Sequence, residues 1–164
     1  MANSLSPSFL SVAALLFLVL SSATASSGVH DLLKKYGLPK GLLPHSAKDY
    51  TLNDDGTFEV RLKKPCYVQF TDLVYYDKTI RGKISYGLIT NIEGIQVKKV
   101  FVWFPISRIQ VDEDEETIEF KVGFLSESFP TKTFKDVPDC KDNKDSYRGA
   151  AGLIPVELLP VAEV

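Results

Sequence analysis

From residue 48 onward the chain alternates. Phe58, Val60 and Leu62 are interleaved with Glu59, Arg61 and Lys63. Ile80, Gly82, Ile84, Tyr86 and Leu88 are interleaved with Arg81, Lys83, Ser85 and Gly87, and Ile118, Phe120, Val122 and Phe124 with Thr117, Glu119, Lys121 and Gly123. A period of two places one set of side chains on each face of an extended strand, so these segments read as strands with one dry and one wet face. Turn chemistry separates them. Asn53-Asp54-Asp55-Gly56 supplies residues that tolerate positive φ, Glu93-Gly94 is expected to turn the chain back into a strand over 95–104, and the five consecutive acids Asp112 to Glu116 must form a solvated turn. Short strands with turns every eight to twelve residues predict a mostly β fold, an antiparallel sandwich or barrel-like sheet with a short N-terminal helix. Val100 to Phe104 is apolar at nearly every position. That segment is expected to be a central strand covered on both sides, or one with a ligand-facing side.

The helix is expected over 29–36, where Val29, Leu32, Leu33 and Tyr36 recur at helical spacing before Gly37 stops it and Pro39 prevents resumption. The loop Gly37 to Pro44 carries three leucines, which would be costly in water and are expected to pack under the sheet. After Cys140 the composition changes to a charged stretch and then Gly149-Ala150-Ala151-Gly152, so 141–164 reads as a flexible tail behind a single domain over 26–140.

The amino terminus reads as a targeting signal. Phe9 to Leu20 is an apolar run interrupted only by Ser11, shorter than the ~20 residues a bilayer span needs. Ala23, Thr24 and Ala25 follow in the small-x-small arrangement that signal peptidase accepts, so residues 1–25 are expected to be removed. The exported product is expected to be secreted into the extracellular space (the apoplast of a plant) or held in the endomembrane lumen, with no transmembrane segment after cleavage. In that oxidising compartment the two cysteines, Cys66 and Cys140, are expected to form a disulfide.

With 19 basic against 21 acidic side chains, the chain lacks the excess positive charge that nucleic-acid binding requires. A zinc site of four Cys/His ligands would consume both cysteines and both histidines at spacings that fit no known pattern, and no cofactor is expected. Ser85, in Gly82-Lys83-Ile84-Ser85-Tyr86-Gly87, resembles a nucleophile elbow but is spaced one residue too long and sits within an uninterrupted alternating segment. His30 and His45 are the bases a triad could draw on, and nothing in the sequence joins them to Ser85. Charge is segregated, however. Residues 78–108 hold six basic side chains and one acid, whereas 112–119 hold six acids and no base. If 80–88 and 95–104 pair as a hairpin, Arg81 and Lys83 share a face with Lys98 or Lys99 near Trp103, a basic patch bordered by aromatics that suits an anionic ligand.

Taken together, the loop Gly37-Leu38-Pro39 to Gly41-Leu42-Leu43-Pro44, Tyr75, Ile80-Arg81-Gly82-Lys83-Ile84, Gly87-Leu88-Ile89, Gly94-Ile95-Gln96-Val97-Lys98, Trp103, Ile118, Phe120, Val122-Gly123, Phe129-Pro130, Phe134, Pro138 and Cys140 carry a resemblance. The chain resembles the plant secreted family catalogued as domain of unknown function 538, over roughly residues 29–140. The resemblance implies a compact, mostly β fold, a likeness to the lipid-binding bactericidal/permeability-increasing proteins, links to stress responses and epidermal hair development, and a proposed chlorophyll-degrading activity. No catalytic motif carries over. The reading adopted is a monomeric, non-catalytic binding module for a lipid-like or amphiphilic ligand, with Arg81, Lys83, Lys98, Lys99 and Trp103 as candidate binding residues. Two alternatives stand beside it. One is a surface-charge interaction protein for acidic cell-wall polysaccharide, anionic lipid or a partner protein; the other is a weak ester hydrolase.

Overall fold

The computed structural model describes residues 28–142; the expected signal segment and residues 143–164 of the expected tail lie outside them. Helix α1 spans Val29–Lys35 and buries Val29, Leu32 and Leu33. Asp31 in its first turn and Lys34 and Lys35 in its last complement the helix dipole. It ends in a Schellman motif: Gly37 adopts φ +68°, its N–H donates to the Lys34 carbonyl, and the Leu38 N–H donates to the Leu33 carbonyl. A 3-10 turn, Lys40–Leu42, follows. The three loop leucines, Leu38, Leu42 and Leu43, are all buried, as their cost in water demanded.

Eight strands come next: β1 Ala47–Leu52, β2 Thr57–Leu62, β3 Cys66–Gln69, β4 Leu73–Ser85, β5 Leu88–Lys99, β6 Val102–Asp112, β7 Thr117–Val122 and β8 Leu125–Pro130. They form one antiparallel sheet in the order β1-β2-β4-β5-β6-β7-β8. The strand β3 pairs with the first part of β4 (Cys66 opposite Tyr76) and β2 with its last part (Val60 opposite Ile80), so β2 and β3 lie end to end along one edge. Among the described residues the fold is therefore mostly β with one short helix, as the alternation implied.

The sheet is not closed into a barrel by strand pairing. Instead it curls. Val60 of β2 and Ile109 of β6 line the same small void, of about 30 Å³, as Leu32 and Leu33 of α1. The first 3-10 turn meets a second, Thr131–Phe134, which follows β8. A Cβ on Gly41 would lie 2.3 Å from the carbonyl oxygens of both Phe134 and Asp136, so only glycine permits the two turns to meet. The His45 N–H donates to the Pro138 carbonyl beside this contact.

Two sequence expectations are corrected. The chain reverses at Tyr86-Gly87, where Gly87 has φ +68°, and not at Glu93-Gly94. Gly94 (φ +92°) lies inside β5, pressed so close to β4 that a Cβ would meet the Thr79 oxygen at 2.5 Å. The pairing of β5 with β6 shifts register over the same stretch, so this glycine bends a long strand where the sequence suggested a turn. Val100 to Phe104 is likewise not a covered central strand. Val100 and Phe101 form a two-residue hairpin tip between Lys99 and Val102, and are 82% and 86% exposed.

Cys66 and Cys140 are disulfide-bonded, and the Ser46 hydroxyl donates to the Cys140 sulfur at 3.3 Å. Lys141 pairs with Tyr67 of β3 through both backbone hydrogen bonds, and Asp142 forms an ion pair with Lys64.

Candidate functional site

Alternation along β4 to β7 aims Val74, Tyr76, Ile95, Val97, Ile106, Ile109, Phe120 and Val122 at one interior. With Leu42, Phe70, Phe129 and Phe134 they line an apolar cavity of about 50 Å³. The rings of Phe70, Phe120, Phe129 and Phe134 meet with centroids 5.1–6.3 Å apart. The Tyr76 hydroxyl donates to the Leu42 carbonyl, which satisfies the one polar atom its side chain brings into this region.

Three polar residues line the same cavity, namely Thr71 and Asp72 from the β3–β4 turn and Glu127 from β8. Lys99, near the end of β5, bridges the two acids: its Nζ lies 2.5 Å from Asp72 Oδ2 and 2.6 Å from Glu127 Oε2. Partial burial by itself would lower the Lys99 pKa. The hydrogen bonds to Asp72 and Glu127 outweigh that and hold it above the ordinary lysine range. The result is an ionic clasp across the cavity wall, joining β5, β8 and the β3–β4 turn.

The chain matches, over residues 29–135, the family described as "Protein of unknown function, DUF538". It belongs to that family. The DUF538 match covers α1, all eight strands and every cavity-lining residue, and it stops short of Cys140. An uncharacterized protein of Arabidopsis thaliana is 31% identical over 85 residues, which is 50% of this chain. The matched segment spans about half of that relative's length (49%).

Within the DUF538 domain the five candidate binding residues fall in two separate places. Arg81 and Lys83 sit near the far end of β4, opposite Glu93 and Thr90, whereas Lys98 and Lys99 close β5 beside the start of β4. The expected pairing of 80–88 with 95–104 does not occur, because β4 pairs with 88–99 and β6 takes the other edge of β5. Nor is Arg81 free: its Nε donates to Glu59 Oε2 at 2.9 Å, and Arg61 binds the same carboxylate. Arg81 first, then Arg61, holds the Glu59 pKa below the ordinary carboxylate range. Trp103 does lie across from Lys98 on the outer face, leaning on Tyr67 and Tyr75 at ring centroid distances of 6.0 and 6.3 Å. These three rings are tilted by 52–72° to one another, so they make no flat stacking platform.

Ser85 is an exposed strand-end serine with no hydrogen bond to a histidine or carboxylate among the described residues. The His30 Nε2 is occupied by the Leu43 carbonyl, and His45 faces Asp139. The cavity and its clasp are what sequence reasoning missed. Alternation marked the inward residues individually, but Asp72 and Glu127 lie 55 positions apart and only the strand order joins them through Lys99.

Proposed function

We propose that this protein is an exported, non-catalytic module that binds the apolar chain of an amphiphilic ligand between its sheet and its two 3-10 turns. The observation that carries the reading is the apolar interior beneath the Asp72–Lys99–Glu127 clasp, with its polar residues confined to one part of the wall. The cavity of about 50 Å³ is smaller than the roughly 300–1,000 Å³ that sites for small ligands usually enclose, so a bound chain must widen it. Entry of a chain therefore requires the β3–β4 turn and β8 to part, and that means releasing Lys99 from at least one carboxylate. The clasp then offers a freed ammonium to an anionic head group and freed carboxylates to a cationic one.

Export is supported by the disulfide and by the apolar run with its small-residue cleavage signal. Among the described residues no helix is long and apolar enough to cross a membrane. The reading as a patch for acidic polysaccharide loses support, because Arg81 and Lys83 stand apart from Lys98 and Lys99. Hydrolysis at Ser85 loses support through the lack of a histidine partner.

The test is displacement of anilinonaphthalene sulfonate by palmitate. Wild type should take up the dye and release it to the fatty acid. Val97→Phe, which fills the cavity while leaving the outer face unchanged, should take up much less dye. Equal uptake by both chains, with Val97→Phe still folded by circular dichroism, would refute an interior site.

A further inference from the structure

The two ends of the sheet differ in kind. At one end the β1–β2 turn, the β4–β5 turn and the β6–β7 turn come together: the Ile84 N–H donates to the Gly56 carbonyl and the Val111 N–H to the Gly87 carbonyl. These three turns carry Asp54, Asp55 and the acidic run 112–116, and no basic residue. At the other end lie the β3–β4, β5–β6 and β7–β8 turns. Six large apolar side chains are exposed among the described residues, and five of them are here: Val100, Phe101 and Val102 on one hairpin, Phe124 and Leu125 on the next. The Gly123 N–H donates to the Pro105 carbonyl, which sets Phe124 level with Phe104. The β5–β6 tip therefore projects about three residues, or ~10 Å, beyond its neighbour.

The turn at Val100 also departs from local preference. Its φ is +57°, at the first position of a two-residue hairpin turn, where glycine is favoured and a β-branched residue is strained. A strained, exposed valine followed by an exposed phenylalanine does nothing for the fold that glycine and a polar residue would not do better. Such strain concentrates where a surface has a use.

Charge at this end favours a negatively charged partner. Lys99 offsets one of the two carboxylates, Asp72 and Glu127, leaving −1, which Lys98 and Lys121 together turn into a balance of +1. Lys98 and the exposed Lys121 stand on the outer face behind the tips with no ion pair among the described residues. Apolar tips in front of unpaired lysines, on a molecule whose opposite end is strongly acidic, match a surface with an anionic face over an apolar interior.

We propose that the β5–β6 and β7–β8 hairpin tips dock the protein on an anionic lipid bilayer, Phe101 and Phe124 entering the acyl boundary while Lys98 and Lys121 meet the head groups. The site goes beyond the cavity reading, since docking needs only the tips. It does set the clasped wall of the cavity, at Asp72 and Glu127, beside the membrane.

The test uses chain collected from the medium of a secreting host, with mass spectrometry confirming loss of the apolar run at 9–20. Sedimentation with phosphatidylcholine vesicles containing phosphatidylglycerol should carry the protein down. The emission of Trp103, the one tryptophan, should shift to the blue. Pure phosphatidylcholine should bind less. Phe101→Asp with Phe124→Asp should lose at least tenfold in partitioning at an unchanged melting temperature, because both side chains are exposed. Val100→Gly, which relieves the strained turn, should keep the fold and partition less. Val97→Phe should keep vesicle binding even as it loses dye, so the two proposals fail separately. Undiminished binding by the double Asp variant would overturn docking through the tips. So would a tip-dependent dimer that ignores vesicles, which would make this end a self-interface.

Discussion

Replacing both cysteines by alanine probes what holds this fold shut. The bond closes a loop from β3 to the residues behind the second 3-10 turn, with a sequence separation of 74. The chain-entropy relation for such a loop gives about 4.5 kcal/mol at 25 °C. Cys66 is fully buried, so losing its sulfur adds a packing cost of roughly 1 kcal/mol. A domain of this size has about 5–15 kcal/mol of stability in all, so the variant should lose at least a third of it. At about 3–6 °C per kcal/mol, melting should fall by roughly 15–30 °C. Denaturant unfolding followed by Trp103 emission measures the loss directly, because that ring leans on Tyr67, the neighbour of Cys66. Wild type treated with reductant should unfold as the double variant does. A loss below about 1 kcal/mol would refute the reasoning, since it would mean that the 3-10 turns seal the sheet unaided.

Lys99→Met should cost about 1–2 kcal/mol in urea unfolding, because it leaves two carboxylates whose oxygens lie within about 5 Å of each other. In wild type the clasp should hold below the ordinary lysine pKa of 10.5 and loosen only as pH rises through the higher folded value, readable as accelerated amide exchange at Asp72 and Glu127. Glu59 works in the opposite sense: its lowered pKa contributes stability above 4.5 that is lost as pH falls through the folded value. Glu59→Gln should therefore flatten the acid limb of a melting-temperature profile, and an unchanged limb would contradict the Arg81–Glu59 pairing. Gly94→Ala should destabilise by about 2 kcal/mol or more, since its φ is +92° and a Cβ would strike the Thr79 oxygen; thermal melting decides it.

Alternation made the strands around Val60, Ile84 and Phe120 legible, because each has one dry face and a period of two cannot hide there. The same rule misread Glu93-Gly94, since a glycine that bends a long strand and a glycine that turns a chain share one composition. It merged 80–85 with 88 because Tyr86 and Gly87 continued the pattern by chance through a two-residue turn. The β3 strand and the start of β4 escaped notice, as Tyr67, Tyr75 and Trp103 place large apolar rings on the outer face and blur the contrast. Val100-Phe101 misled for a physical reason: apolar residues are expected inside, and here they are at a tip. The clasp was illegible because its three charges come from segments far apart in the chain, and only the sheet order brings them together.

A body with carboxylates massed at one pole and a small positive balance at the other feels a torque near any charged wall. The poles here are about 40 Å apart, from the 13 residues of β4 at their usual rise, several times the screening length of physiological salt. Within that length of a polyanionic sheet each pole answers its own local field, so the acidic pole swings away and the lysine pole leads. Approach is thereby aimed before contact is made, and fewer collisions are wasted on the wrong orientation.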